Sequence, residues 1–394
     1  MSAQRIGFIL GLAAFALTLI LPAPEGMSQA AWRTTGIGLL MAFWWATEAL
    51  PVPATSLIPI FAFPVFGVSS IGEATAPYAS PLIFLFLGGF LIALSMERWN
   101  LHRRIALSIV AQVGSNPRML VLGFMVATAG LSMWISNTAT TMMMLPIGAS
   151  VSAIMLMEAD ASGEGHDHSR FALCLMLGIA YAASVGGVGT LIGTPTNLAM
   201  SNILAGSFDT VIGFAEWMLL GLPFVLVMLP LTWLVLTRFV YPFELGPSED
   251  AHQHVEEQRR EMGRMTVPER RVAIIAGLVA FCWVSRGFVP DLVPGLSDTG
   301  IAIAGALLLF IVPAGAKDQD GLGGALMNWE TTVRLPWGLI LLFGGGLSLA
   351  SAMAGSGLAE WISQSLAGVS AWPLFLLVGA IVAVVVYLTE LTSN

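Results

Sequence analysis

The chain has 394 residues, of which 56% are hydrophobic and only 10% are charged, and its formal net charge is −8. A soluble domain typically carries about 25% charged residues, so this composition excludes an ordinary soluble protein. The acidic balance gives no reason to expect nucleic acid as a partner. The two cysteines, Cys174 and Cys282, lie in apolar segments and predict neither a disulfide framework nor a metal site.

Apolar windows recur along the chain, and about twenty apolar residues suffice for a helix to cross a bilayer core of about 30 Å. We expect membrane segments at 6–21, 32–50, 52–66, 81–96, 119–135, 142–157, 171–192, 214–240, 272–284, 301–312, 337–353 and 372–388. The pattern predicts an all-α polytopic protein, surrounded by lipid in the cell (inner) membrane.

The basic residues predict the orientation. With a cytoplasmic N-terminus, and with residues 119–157 entering and leaving on one side, all Lys and Arg residues except Arg33 and Arg286 fall inside. The reverse orientation would invert this positive-inside bias. Two complete crossings between 119 and 157 would keep the same parity, so the bias alone does not establish a re-entrant hairpin there.

Two predicted cytoplasmic stretches carry most of the loop charge. Residues 97–118 mix charged and apolar side chains, as an interfacial amphipathic helix does. Residues 244–271 read as a charged linker between two halves of the chain. We expect the histidines of the cytoplasmic loops to be solvated rather than to bind metal; they are His166, His168, His252 and His254.

An internal repeat is visible. Residues 80–94 resemble residues 335–349, and an amphipathic piece, a second apolar run and a polar cluster follow each of them. With the predicted orientation the two halves run in opposite directions, as the inverted repeats of alternating-access transporters do. The chain then divides into scaffold helices (1–78), a first repeat with its hairpin tip at 136–138 (79–243), a cytoplasmic linker (244–271), second-half scaffold helices (272–334) and a second hairpin that stops at its tip (335–394).

Two polar breaks interrupt the apolar segments. Residues 131–146 carry six hydroxyl or amide side chains, which favours two half-helices that meet at 136–138. Residues 184–197 carry several glycines and Pro195, which predicts an unwound helix around 193–195. A half-helix that begins at such a break can face an anion, and oxygens at the break can coordinate Na⁺. Interhelical hydrogen bonding and close glycine packing are the alternatives.

The predicted spans contain no Lys or His, so a buried base or a histidine proton relay is not available to hold an anion. Glu48 and Glu390 lie in or near membrane segments, where ionisable groups are functional candidates. No nucleophile–base pair or metal cluster is recognisable at membrane depth, which argues against an enzyme and against any catalytic residue.

The chain resembles the divalent anion:sodium symporter family of di- and tricarboxylate transporters over essentially its whole length. The matching motifs are Trp45-Ala-Thr-Glu-Ala-Leu-Pro51, Ser136-Asn-Thr138, Gly193-Thr-Pro-Thr-Asn197 and Thr389-Glu-Leu-Thr-Ser-Asn394. The resemblance implies a homodimeric, elevator-type transporter with re-entrant helical hairpins and broken helices, a small dicarboxylate as substrate and Na⁺ as coupling ion.

The resemblance also implies the binding residues. A first sodium site would use Ser132, Ser136, Asn137 and the backbone of Gly193, and a second would use Thr389, Thr392 and Asn394. The substrate would contact Asn137, Thr138, Thr194, Pro195, Ser393 and Asn394. Thr196 stands where the family usually has a second proline. Because the sequence stops at Asn394, in the middle of the second polar cluster, we expect it to be a fragment of a longer protein.

Several functions stay open from the residues alone. A sodium-independent dicarboxylate exchanger would present the same groups, and so would a carrier of citrate or sulfate, or a proton-coupled or oxyanion carrier of related architecture. Succinate, malate and fumarate are likewise read by the same hydroxyl and amide groups. An integral-membrane enzyme is the distant alternative.

Overall fold

The computed structural model describes residues 2–162, 165–208, 210–288, 293, 295–316, 324–365 and 373–391. Among these residues the regular structure is helical, apart from one isolated antiparallel bridge between Pro313 and Ala325. The chain divides into two compact units, one formed by Met1–Ile83 with Pro336–Asn394 and the other by Phe84–Leu335.

The first unit holds the N-terminal helices and the last ones described. They are α1 (Ala3–Ile20), α2 (Gln29–Thr47), α3 (Val52–Thr55), α4 (Ile58–Val65), α5 (Ile71–Thr75) and a 3₁₀ turn (Ala76–Ala79), followed near the end by α16 (Trp337–Gly355), α17 (Leu358–Ser365) and α18 (Leu374–Leu391). Its buried core includes Ile37, Met41 and Phe63. The Ser348 hydroxyl on α16 donates to the Ala74 carbonyl of α5 at 2.8 Å, so distant parts of the sequence are joined within this unit.

The second unit holds the middle of the chain. Its helices are most of α6 (Pro81–Arg98), then α7 (Leu101–Val110), α8 (Pro117–Ser132), α9 (Asn137–Ser162), α10 (Gly165–Gly187), α11 (Pro195–Phe208), α12 (Phe214–Val235) with a π-helical turn (Leu236–Val240), α13 (Glu249–Glu261), α14 (Val267–Phe288), α15 (Asp298–Ile311) and a 3₁₀ turn (Glu330–Arg334). Helix α10 packs against both α8 and α9. The polar breaks predicted at 136–138 and 193–195 both lie in this unit.

Seven described helical segments are long and apolar enough to cross a membrane. They are Ala3–Ile20, Ile71–Arg98, Asn137–Met157, Asp167–Gly187, Phe214–Val240, Val267–Phe288 and Trp337–Gly355. Large apolar side chains on them point outward, as at Leu220 (69% exposed), Leu226 (73%) and Phe281 (68%). A water-soluble surface rarely exposes such contiguous apolar area, whereas lipid accepts it. The predicted all-α polytopic architecture is therefore confirmed.

Three membrane segments differ from the predicted windows. The window 52–66 is two short helices, because Pro59 cannot donate to the Thr55 carbonyl and so ends the continuity after α3. The window 171–192 is wrong at its end, since α10 stops at Gly187. Helix α11 was missed, although Pro195 occupies the first helical position, where its fixed backbone angle favours a helix start.

The charged stretches are more ordered than the sequence indicated. The predicted amphipathic helix at 97–118 is confined to α7. The left-handed Asn100 (φ 55°) separates α7 from the end of α6. The predicted linker contains α13, whose Ser248 side chain caps the Ala251 N–H at 3.1 Å. The expectation of solvated loop histidines is wrong for His168, which is buried in α10. His252 and His254 likewise lie in α13 rather than in a loop.

Glu48 lies at the end of α2, exposed and in the left-handed conformation (φ 49°). Its N–H bonds to carbonyls of the last helical turn, so its motif first of all terminates a helix. The Trp45 indole N–H of the same motif donates to the Ser56 hydroxyl at 3.2 Å. Glu390 lies in α18, and its side chain is outside the described part of the chain.

Candidate functional site

The first polar break separates α8 from α9. The turn occupies residues 133–136, so the predicted tip at 136–138 is shifted, and Asn137 and Thr138 already belong to the first turn of α9. The Ser136 hydroxyl accepts a hydrogen bond from the Ala139 N–H at 3.3 Å, which caps the helix. The other N–H groups of this first turn have no partner within the helix, because an α-helix leaves its first donors unpaired.

The second polar break lies between α10 and α11. The chain is irregular over residues 188–194, where glycines and Thr190 follow the end of α10. The Asn197 side chain is buried and donates to the carbonyls of Gly187 (2.9 Å) and Thr190 (2.7 Å). One amide therefore ties the end of α10 to the middle of the unwound stretch, where the Thr190 carbonyl also accepts the Gly193 N–H at 3.3 Å.

The two breaks are joined to each other. The Thr190 hydroxyl of the second break donates to the Met133 carbonyl of the first. Nearby, the Ser132 hydroxyl lies 2.7 Å from the Asn137 amide oxygen and 2.7 Å from the Ala183 carbonyl. The hydroxyl has one proton to share between these two acceptors. With the amide in this orientation, the cluster presents more oxygens than protons, which favours a cation.

Two glycines permit this close approach. A Cβ atom at Gly187 would lie 2.4 Å from the Asn137 amide oxygen, closer than real atoms approach. A Cβ at Gly193 would lie 2.4 Å from the Gly187 carbonyl oxygen and 3.0 Å from the Ser132 carbonyl oxygen. Ser132, Asn137, Gly187 and Gly193 therefore form one compact group, which we call the oxygen cluster together with the Ala183 carbonyl.

Aromatic side chains support the breaks from α12 and α14. The Trp217 indole N–H donates to the Val188 carbonyl at 2.9 Å. The Trp134 ring, in the first turn, stacks with Phe214 (6.1 Å between centroids) and with Trp283 (6.5 Å). Both irregular segments thus lie against rigid side chains of neighbouring helices, as a preorganised site requires.

The predicted site residues fall into three groups. Ser132, Asn137 and the backbone of Gly193 are brought together in the oxygen cluster, and Ser136 caps α9 beside it. Thr138 is exposed, while Thr194 and Pro195 are half-buried at the start of α11. The remaining residues cannot be placed in a site: Thr389 lies in α18 with its side chain outside the described part of the chain, and Thr392, Ser393 and Asn394 lie wholly outside it.

Sequence reasoning missed several residues that hold the cluster. The roles of Gly187, Thr190 and Asn197 depend on contacts across the two breaks, and Ala183 takes part only through its carbonyl. The motif that ends at Asn197 was the one available signal. An amide directly after a Gly-Thr-Pro break is well placed to bond the carbonyls that the break frees.

The chemistry of the cluster is that of hydroxyl, amide and carbonyl oxygens without charged side chains. The described residues contain no group of three His, Cys, Asp or Glu side chains that could hold a transition metal. Oxygen ligands from broken helices suit hard cations such as Na⁺. The donors present therefore fit a sodium ion.

Comparison with known proteins identifies the family. A family model described as the sodium:sulfate symporter transmembrane region matches residues 2–394. A protein of Staphylococcus saprophyticus, named a sodium-dependent dicarboxylate transporter, is 39% identical over 99% of this chain and 75% of its own length. Proteins of the same name from Staphylococcus aureus are 38% identical with the same coverage.

These matches confirm the resemblance inferred from the motifs. Because the family consists of symporters, the chain is a membrane transporter and not an enzyme, as predicted. With helices of the required length, an oxygen cluster at two broken segments and a family match along nearly all of its residues, this chain belongs to the sodium:sulfate symporter family, the family of divalent anion:sodium symporters.

Proposed function

We propose that this protein transports small dicarboxylates of the succinate, malate and fumarate class across the cell membrane, coupled to Na⁺. The observation that carries the proposal is the oxygen cluster, in which Ser132, Asn137 and Gly193 meet where two helices are broken. The names of the relatives from Staphylococcus, sodium-dependent dicarboxylate transporters, support both the ion and the substrate class.

The polar breaks supply oxygen ligands for sodium. The first ion would be held by Ser132, Ser136, Asn137 and the Gly193 backbone, which supply oxygens without a compensating positive side chain. A second ion would use Thr389, Thr392 and Asn394. A bound cation supplies the positive charge that a dianionic substrate needs, since the predicted spans provide no Lys or His.

The substrate would lie beside the same breaks. The first turn of α9 offers unpaired N–H groups and the positive end of a helix dipole to a carboxylate. Asn137, Thr138, Thr194 and Pro195 surround this end as the family resemblance implies. Ser393 and Asn394 would meet the second carboxylate from the other polar cluster.

The coupling would follow from shared ligands. Because Asn137 is proposed to contact both Na⁺ and substrate, ion binding would set its side chain in the orientation that the carboxylate needs. Each ligand then raises the affinity for the other by the same factor, as thermodynamic linkage demands. A transporter coupled in this way moves the loaded site, which fits an elevator-type, alternating-access mechanism between inverted repeats.

The membrane placement is proposed in part from charge. The chain is a multi-pass membrane protein, and the distribution of Lys and Arg favours a cytoplasmic N-terminus in the inner membrane of the cell. We also propose a homodimer, in keeping with the family resemblance. The division at 78/79, 243/244, 271/272 and 334/335 into scaffold helices, repeats and linker stays a prediction.

Sulfate is the second candidate substrate, because the family description names it. A tetrahedral oxyanion would be read by the same helix end and the same hydroxyl and amide groups. It has one charged centre rather than two separated carboxylates, so it needs only one of the two polar clusters. A sodium-independent exchanger of dicarboxylates is a further candidate, which the oxygen cluster disfavours.

The test is uptake of radiolabelled succinate into proteoliposomes with and without an inward Na⁺ gradient. We expect uptake that needs the gradient and that Asn137→Ala abolishes. Uptake that is indifferent to Na⁺ but needs internal dicarboxylate would replace symport by exchange. Uptake of sulfate but not succinate by the same folded protein would replace the substrate.

A further inference from the structure

Two cavities of the second unit lie against the same two helices, α7 and α14. The basic cavity, of about 460 Å³, is lined by Arg98, Arg103 and Arg104 among other polar groups. The apolar cavity, of about 360 Å³, is lined mainly by aliphatic and small side chains. Both volumes fall in the range of ligand-binding pockets. Neither cavity is lined by Ser132 or Asn137 of the oxygen cluster.

Helix α7 contributes opposite faces to the two cavities. Leu101, Ile105 and Ile109 recur every four residues, so they share one face of the helix, and they line the apolar cavity. Arg103 and Arg104 lie on the other side and line the basic cavity. The amphipathic pattern of this short helix thus separates a charged compartment from an apolar one.

The two cavities lie one after the other along the axis of helix α14. Pro268 and Glu269, at its beginning, line the basic cavity, whereas Ala273, Ala276 and Ala280 line the apolar one. With a rise of about 1.5 Å per residue, the contacts on α14 from Pro268 to Ala280 extend over about 18 Å. Because α14 is long and apolar enough to span the membrane, the charged compartment lies at a membrane surface and the apolar one within the hydrocarbon.

The apolar cavity is open because its walls are small. Four of the six α14 residues that line it are alanines or glycine, beside Val279 and Trp283, and a Cβ atom at Gly277 would meet nothing within 4 Å. The same holds for Gly130 on the facing helix α8. Ala273, Ala276 and Ile105 are only half-buried, so this space is accessible from outside the protein.

The basic cavity holds one arginine, Arg103, that is not bonded within the described residues. Arg104 forms a two-pronged pair with Glu269, with distances of 3.0 and 3.1 Å, so these two charges balance. Arg98 is buried and donates to the Leu326 carbonyl, and Glu261 also lines the cavity. Arg103 is exposed and makes no hydrogen bond or ion pair within the described residues. Its guanidinium is therefore available to an external anion.

We propose that the two cavities together bind one anionic phospholipid, with its phosphate at Arg103 in the basic cavity and one acyl chain in the apolar cavity. A soluble anion would fill only the first compartment, and an uncharged lipid only the second. Basic pockets between membrane helices attract anionic headgroups, particularly on the cytoplasmic side, where we place this end of α14. The order charged, then apolar, along one membrane helix matches an amphiphile.

The experiment uses a phosphatidylglycerol with a photoactivatable diazirine in its acyl chain and a matched phosphatidylcholine probe. Each is added to the protein in phosphatidylcholine nanodiscs, and the labelled peptides are mapped by mass spectrometry. We expect the phosphatidylglycerol probe to label residues 101–109 and 273–283, about fivefold more than the phosphatidylcholine probe, a preference that one basic side chain can provide.

Variants separate headgroup from chain. Arg103→Gln should remove the preference for phosphatidylglycerol, and Gly277→Leu should fill the apolar cavity and abolish labelling there. Ala273→Leu is a second variant of the same wall, should Gly277→Leu fail to elute as a folded protein. The controls are Arg264→Gln, a nearby exposed arginine outside both cavities, and Gly379→Leu, an exposed helical glycine of α18 with open space around it. Neither should change the labelling.

Three results would overturn the proposal. Equal labelling of 101–109 and 273–283 by the two probes would mean that no headgroup is recognised. Unchanged labelling in the folded cavity-filling variant would place the chain elsewhere. Removal of the phosphatidylglycerol preference by inorganic phosphate alone would assign the basic cavity to a soluble anion.

Discussion

The Ser132 hydroxyl lies 2.7 Å from the amide oxygen of Asn137, across the turn that separates α8 from α9. The same hydroxyl lies 2.7 Å from the Ala183 carbonyl, so one proton faces two acceptors. This relationship places an oxygen-rich point at the junction of two broken segments, and it connects the fold to the proposed sodium coupling.

Removing the Ser132 hydroxyl should weaken sodium binding. We expect Ser132→Ala to raise the Na⁺ concentration for half-maximal succinate uptake about tenfold, because one oxygen ligand is worth about 1–2 kcal/mol. The assay is initial uptake into proteoliposomes as a function of external Na⁺. Thr128→Val is the matched control, since Thr128 lies one turn earlier in α8 and its hydroxyl bonds to the Phe124 carbonyl of its own helix. A similar shift in both variants would contradict the assignment.

Adding one methyl group at Gly187 should displace Asn137. A Cβ there would lie 2.4 Å from the amide oxygen, so Gly187→Ala forces the side chain out of the oxygen cluster. We expect Na⁺-dependent uptake to fall by at least about tenfold, the effect of a misplaced binding group.

The control for this change is Gly130→Ala. Gly130 lies in α8, and a Cβ there meets nothing within 4 Å. Alanine is also favoured over glycine in a helix by about 1 kcal/mol, so the variant should transport normally and unfold no more easily. Wild-type uptake by Gly187→Ala would show that the close approach is not needed.

The Asn197 amide should be important for stability. Asn197→Ala removes the side-chain donor of the Gly187 and Thr190 carbonyls, and each lost buried bond costs about 1–2 kcal/mol. The Thr190 carbonyl keeps its bond from the Gly193 N–H. We expect a midpoint of thermal unfolding several degrees lower, followed by tryptophan fluorescence in detergent. Thr196→Ala, at an exposed neighbouring position, should leave the midpoint unchanged. Equal midpoints for the two variants would rule out the proposed clamp.

Arg104 and Glu269 should show strong energetic coupling. Their side chains are 16% and 4% exposed, and Arg104 also donates to the carbonyls of Met262 and Gly263. We expect a double-mutant cycle of Arg104→Ala and Glu269→Ala to give a coupling of about 1–3 kcal/mol in the free energy of unfolding. The pair Arg260 and Glu256, whose arginine is 78% exposed, serves as a comparison and should give less than about 1 kcal/mol. Equal couplings would mean that burial adds nothing.

The stability of the protein should depend on the protonation of His102. Burial in α7, opposed by a hydrogen-bonding contact with the Met96 carbonyl, lowers the pKa of His102 below its ordinary value of 6.5. Between the lowered pKa of the folded state and the ordinary pKa of the unfolded state, the unfolded chain binds more protons than the folded one. The free energy of unfolding should therefore fall as the pH drops below 6.5 and stay level above it.

The measurement is the thermal midpoint between about pH 5 and about pH 8, which brackets an ordinary histidine. His102→Gln should flatten the part of the profile that lies below the ordinary histidine pKa. A wild-type slope that persists unchanged in His102→Gln would assign the pH dependence to another group.

Much of the fold can be predicted from the sequence, because a lipid environment permits few backbone structures. Apolar runs such as those of α12 and α16 must be helical, since no water is present to satisfy the backbone. The errors occur where proline acts in two ways. Pro59 interrupts an apolar run that composition alone predicts to be one continuous helix. Pro195 begins α11, although composition alone predicts a break there.

The candidate site was predictable in part. The polar clusters can be recognised in the sequence, because Ser132 and Asn137 stand among apolar neighbours. The contacts between the two clusters could not be predicted, since the bond from Thr190 to Met133 joins residues 57 positions apart. Nothing in either segment specifies that partner. The Ala183 carbonyl has no sequence signal at all, because every residue carries one.

The Asn197 side chain donates hydrogen bonds to the Gly187 and Thr190 carbonyls and so holds them in place. A loop fixed in this way loses little freedom when an ion arrives, so ion binding need not be slowed by loop ordering. Its oxygens also cannot spread far apart to accommodate a larger guest. We therefore expect the cluster to select by ionic radius, accepting Na⁺ and rejecting K⁺, and loosening Asn197 should relax that selectivity before it abolishes transport.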